Sequence, residues 1–215
     1  MTTDFQQIWQ NHDQQLNQTI VVNRNQLEEI TRMKVKSALV KASPIKTFAI
    51  IFGIIWVMFV NNLILGMFSM EWIFFIVAAL LHSAITSIAI GVYIYHRILI
   101  HRIDQSETIA EVQQKLSNLT RSSLWINRLL FVQLPLFTVF QINLGLFSHP
   151  QIGWWIFQIA VTTLFTFAGI WFFFNIKAEN RNKKWFRKLF GTVEWTSLEK
   201  AEELLEQLNE QKAAE

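Results

Sequence analysis

AIIFGIIWVMFVNNLILGMFSM, residues 49–70, runs straight into EWIFFIVAALLHSAITSIAIGVYIY, residues 71–95. From Phe48 to Tyr95 only Glu71 carries a formal charge, and it stands mid-run beside Gly66, Ser69 and Trp72. One helix over this run would be about 70 Å long at about 1.5 Å per residue. The hydrocarbon core of a bilayer is about 30 Å thick and takes about 20 residues. The run therefore reads as two membrane spans, about 47–65 and 72–95, joined by a short turn. A second apolar block, Leu124 to Ile176, reads the same way, with spans at about 124–147 and 153–174. The expected fold is all-α, with four transmembrane helices in two antiparallel hairpins and amphipathic helices outside the membrane.

Composition agrees. The 215 residues are 52% hydrophobic and 16% charged, against about 25% charged in a soluble domain. The net charge of +3 is small and dispersed, so direct nucleic-acid binding is not expected. The chain has no cysteine, which excludes disulfides, thiolate metal sites and a cysteine nucleophile. The opening MTTDFQQIWQNHDQQLNQ has no basic patch followed by an apolar core. The first span is thus expected to be the insertion signal.

Three parts follow: an arm (1–46), a membrane domain (47–176) and a tail (177–215). The arm is rich in Gln and Asn and reads as two helical pieces. Asp4 would cap the first, and Asn25 with Glu28 is spaced as a capping box for the second. Pro44 marks a break before the first span. In the linker 98–123, Asp104 and Glu107 have capping-box spacing. Ile109, Val112, Leu116 and Leu119 then make one apolar stripe, expected to pack on the arm, the C-terminal helix or a second copy. Pro135 predicts a kink in the third span and a freed carbonyl near residue 131. In the tail, Trp185, Phe186, Leu189 and Phe190 alternate with Lys183, Lys184, Arg187 and Lys188. That pattern suits a helix lying in the lipid interface, basic side toward anionic head groups. Thr196 and Glu199 are a third capping-box spacing, followed by the stripe Leu198, Ala201, Leu204, Leu205 and Leu208.

The turns at 66–71 and 148–151 hold no Lys or Arg. All 19 basic residues lie in the arm, linker, tail or adjoining span ends. The positive-inside rule then expects both termini and the linker in the cytoplasm of a bacterial inner membrane.

No Asp, Glu, Lys or Arg sits centrally in any span, which argues against an ion-coupled transporter. His82, Gln133, Gln141 and Gln158 are the intramembrane polar candidates. They read first as helix–helix hydrogen-bonding groups, and second as a polar stripe lining a pore. His96 and His101 are five apart, not the i, i+4 spacing of helical metal pairs. No phosphate loop, nucleophile elbow or paired carboxylates are present, so no enzyme, metal or cofactor is expected. The arm and tail carry the candidate partner-binding residues Trp9, Leu16, Leu27, Ile30, Leu204 and Leu208.

Ile8-Trp9 with its Gln/Asn-rich helix, Ile103-Asp104-Gln105-Ser106-Glu107-Thr108-Ile109 with Gln113, Gln114, Lys115 and Leu116, and Arg128 to Pro135 carry a resemblance. The chain resembles an uncharacterised group of small four-span inner-membrane proteins of Bacteroidota. Members of that group are thought of as neighbours of extracytoplasmic-function sigma factors. The resemblance implies an anti-sigma-like or membrane-regulatory role and supplies no functional residues. The leading expectation is a non-enzymatic regulatory or scaffolding membrane protein with lipid contacts, a cytoplasmic protein partner and a capacity to self-associate. The alternative is an oligomeric channel or pore-forming effector.

Overall fold

The computed structural model describes the backbone of residues 2–103, 107–148, 151–191 and 193–214. It describes the side chains of these from Gln15 on, except those of Asn17, Ile20 and Ala214. Among the described residues every regular element is helical. In chain order these are α1 (Thr2–Val40), α2 (Ser43–Gly66), α3 (Ile73–His101), α4 (Ile109–Val132), α5 (Leu134–Val139), α6 (Gly145–Ser148), α7 (Ile152–Asn175), α8 (Lys184–Phe190) and α9 (Val193–Ala214). Three stretches, Val21–Gly66, Met70–His101 and Ile152–Asn175, are long and apolar enough to cross a membrane.

Outward-facing surface supports that reading. Phe48, Ile51, Phe52, Ile55, Met58 and Phe59 on α2 are exposed, as are Ile156, Phe157, Ile159, Leu164 and Phe167 on α7. Soluble monomers rarely expose apolar patches beyond a few hundred Å², so these faces suit lipid. α2 and α3 run in opposite directions, paired by Lys46 with His96, Thr47 with Arg97 and Trp56 with His82. Gly53 sets their spacing, because a Cβ there would lie 3.0 Å from Ile90.

At the polar end α1, α4 and α9 form a bundle. Its core holds Val35 and Leu39 from α1, Val112, Leu116 and Leu119 from α4, and Leu198, Ala201, Leu205 and Leu208 from α9. Each large aliphatic side chain buried there contributes about 1.5–3 kcal/mol of hydrophobic stabilisation. The linker stripe from Ile109 to Leu119 is buried along its whole length. α9 lies antiparallel to α1: Lys212, near its end, pairs with Glu28 at 2.5 Å.

Several expectations need correction. The arm is one continuous helix from Thr2 to Val40, so Asn25 caps nothing. Asp104 lies outside the described residues, and α4 is capped by Thr108, with Glu111 completing the box. The Glu111 carboxyl is held below its ordinary pKa by the hydrogen bonds from the Thr108 backbone and side chain. α9 starts at Val193, so Thr196 and Glu199 lie inside it.

The largest correction concerns residues 124–147, expected as one span. α4 runs unbroken from the linker to Val132, the axis breaks at Gln133, and Pro135 opens the short α5. Proline removes an amide donor and clashes with the preceding turn, which explains the break. Residues 140–144 leave the helix before α6. The segment still reaches the end where α2 turns into α3, since Leu144 N–H donates to Glu71 O at 2.8 Å.

α8 also differs from expectation. Phe186 and Phe190 are buried against Trp195 in the bundle core instead of facing lipid. Trp185 packs on Trp171 and Phe172. Lys183, Lys184, Arg187 and Lys188 stay exposed, as does Leu189. Gly191 ends α8, because a Cβ there would land on the Arg187 carbonyl.

Candidate functional site

Two polar constellations stand out, one where the bundle meets the apolar helices and one within them. The first centres on Lys46, which is 1% exposed although it carries an ammonium group. A buried charge survives only when paired and hydrogen-bonded. Lys46 Nζ donates to Glu194 Oε1 at 2.7 Å and lies 2.8 Å from His96 Nδ1. An ammonium has no lone pair, so Nδ1 accepts and the ring proton is on Nε2. Nε2 meets Ser122 Oγ at 2.6 Å, and the Ser122 hydroxyl donates to Asn118 O at 2.7 Å. Ser123 Oγ donates to Glu194 Oε1 at 3.2 Å. The network joins α2, α3, α4 and α9 at one point.

The second constellation lies deeper. Trp56 Nε1 on α2 donates to His82 Nε2 on α3 at 2.7 Å. Phe137 and Phe140 crowd the same imidazole, with ring centroids 4.6 and 5.8 Å away. Nearby, a cavity of about 440 Å³ is lined by Ala49, Phe52, Gly53, Trp56, His82 and Gln133, among others. His82 Nδ1 and Gln133 Oε1 are buried with no hydrogen-bond partner among the described residues.

Gln141 and Gln158 sit elsewhere, between the broken segment and α7. Gln141 Nε2 donates to Gln158 Oε1 at 2.8 Å, and Gln158 Nε2 donates to Thr138 O at 2.6 Å. Thr138 Oγ1 and Thr162 Oγ1 are 2.9 Å apart. These groups satisfy one another and the carbonyls near the Pro135 break. His82 and Gln133 thus share one site while Gln141 and Gln158 share another.

The candidate partner-binding residues divide as well. Trp9 lies outside the described side chains. Leu208 is buried, and Leu27 and Leu204 pack on the bundle core, so intramolecular packing occupies them and corrects their expected availability. Leu16 and Ile30 are exposed. Sequence reasoning did not find the Lys46–Glu194 pair, whose members are 148 residues apart. The only local signal is a lysine at the head of an apolar run.

Among the described residues no group of three or more His, Asp or Glu is placed to hold a metal ion. Comparison with protein-family models, curated proteins and solved structures finds no match to this chain.

Proposed function

We propose that this chain is a non-enzymatic regulatory or scaffolding membrane protein that holds a cytoplasmic protein partner along the N-terminal half of α1. The carrying observation is the uncovered length of that helix. Every described side chain from Gln15 to Gln26 is exposed, including Leu16, Val21 and Val22. α9 covers α1 only up to Glu28, where its own C-terminal turn ends. An isolated helix gains little stability in water, because nucleation is unfavourable and most helical stability comes from packing. A long uncovered helix therefore favours a partner that lies along it.

In this reading the broken segment 124–148 is a fourth crossing, and it packs with α7 as α2 packs with α3, giving two hairpins. The asymmetry of the basic residues supports a cytoplasmic bundle with both termini inside, in a bacterial inner membrane. The resemblance to four-span Bacteroidota proteins implies an anti-sigma-like role, in which the cytoplasmic partner is a sigma factor. The pore reading is weaker, since Gln141 and Gln158 bond to each other.

The test is photo-crosslinking in cells, with a photoreactive residue at Gln26 or Ile30, both exposed and just beyond the segment to be deleted. A cytoplasmic protein adduct, lost when residues 2–24 are deleted while the membrane domain still assembles, is the expected result. Adducts to lipid alone, or an adduct that survives the deletion, would refute the proposal. Adducts only between copies of the chain would replace it with self-association.

A further inference from the structure

We infer that the cavity between α2, α3 and the α4–α5 break is a binding site for a neutral lipid alcohol drawn from the bilayer. The inference is independent of the α1 reading, since no residue is shared. An indole N–H can only donate. His82 Nε2 therefore accepts from Trp56, and the imidazole proton sits on Nδ1. That makes Nδ1–H a donor, on a side chain only 1% exposed, with no acceptor among the described residues. Gln133 Oε1 is an acceptor with no donor among the described residues. Both residues line the same cavity. Unpaired buried polar groups are costly, and the bilayer interior offers no bulk water to relieve them.

The lining defines what relieves them. A hydroxyl both accepts and donates, so it suits a site that offers one unpaired donor and one unpaired acceptor. A ketone, ester or ether oxygen can only accept, and leaves Gln133 unpaired. The lining includes no Asp, Glu, Lys or Arg, which selects a neutral molecule. Phe52, Ile90, Leu130 and Phe137 supply apolar walls for a chain. The volume of about 440 Å³ lies within the usual range for small-molecule sites. Phe52, 58% exposed, stands on the outer wall, so entry is sideways from lipid.

The test uses the full chain in phosphatidylcholine nanodiscs and three diazirine-bearing probes of equal length. These are hexadecanol, its methyl ether and hexadecane. Mass spectrometry maps the labelled peptides. The alcohol should label those containing Phe52 to Trp56 and Phe137, with competition by unlabelled hexadecanol. It should exceed the ether and the alkane about three- to tenfold, the value of a hydrogen bond or two. Gln133→Leu should reduce the alcohol's advantage without lowering the thermal midpoint, because it removes an unpaired polar atom. Ala49→Leu, which fills the cavity and touches neither polar atom, should block all three probes. Equal labelling by alcohol and alkane would overturn the proposal, leaving a site for acyl chains only. So would an alcohol preference unchanged in Gln133→Leu. The comparison among probes on the unaltered protein is decisive even if both variants fail to fold.

Discussion

Lys46 and Glu194 make a sharp energetic prediction, because both are buried and each is the other's counter-charge. Glu194→Leu leaves the ammonium, almost fully enclosed, with the His96 lone pair and the Tyr93 ring face but no counter-charge. Removing one member of a buried pair costs about 3–5 kcal/mol. Lys46→Met leaves Glu194 with the Ser123 hydroxyl and no cation, and falls in the same range. The double variant Lys46→Met with Glu194→Leu strands no charge. Replacing a buried ion pair with apolar groups of similar size is often neutral or better, so it should lie within about 1 kcal/mol of the parent. The coupling is then several kcal/mol, far above the 0.3–0.5 kcal/mol scatter expected of independent sites. The assay is reversible unfolding in mixed micelles, followed by Trp fluorescence, with all four proteins compared as a cycle. If the two single losses simply add in the double variant, the ion pair is not what holds this junction, and the argument from burial is wrong.

Four other outcomes follow from the packing. Leu205→Ala, at the centre of the polar bundle, should cost about 2–5 kcal/mol and leave the apolar helices assembled, as read by protease protection. Gly169→Ala places a Cβ 2.9 Å from the Phe131 carbonyl; α7 must retreat, and the clash of about 1–3 kcal/mol outweighs the better helix propensity of Ala, visible as a lowered thermal midpoint. Thr108→Ala removes the α4 cap and should cost about 0.5–2 kcal/mol, measured by denaturant unfolding. Because Glu111 has a lowered pKa in the folded chain, chiefly from the Thr108 backbone N–H, its share of the cap is present above the ordinary carboxylate range and fades as pH falls below it; Thr108→Ala keeps that donor and should leave most of the pH dependence, whereas Glu111→Gln should remove it.

The apolar helices were readable because hydrophobic run length alone decides a span, and Phe48–Tyr95 is too long for one and right for two. The linker stripe was readable because Ile109, Val112, Leu116 and Leu119 keep helical spacing. What they would touch was not readable, since α4, α9 and α1 present similar stripes. Phe186 shows the same ambiguity: an aromatic–basic alternation looks alike whether its apolar side meets lipid or a protein core. Pro135 announced a disturbance, but its depth depends on Gln158 and Thr162 of α7, and no local pattern encodes that. Capping-box spacing misled at Asn25 and Thr196, because both lie inside continuous helices, α1 and α9, with no end there to cap. Trp56 and His82 could be placed on their spans, but their hydrogen bond needed the register between α2 and α3.

One consequence of the unbroken α4 reaches beyond its role in packing. Its 24 residues make a stiff rod about 36 Å long. One end carries Val112 and Leu116 into the core of the polar bundle; the other stops at Gln133, which lines the same cavity as His82. A tilt of about 5° pivoted at one end sweeps the opposite tip through about 3 Å by simple leverage over that length. Whatever swells or shrinks the space around Gln133 therefore acts on the water-facing helices as a hand acts on a tiller.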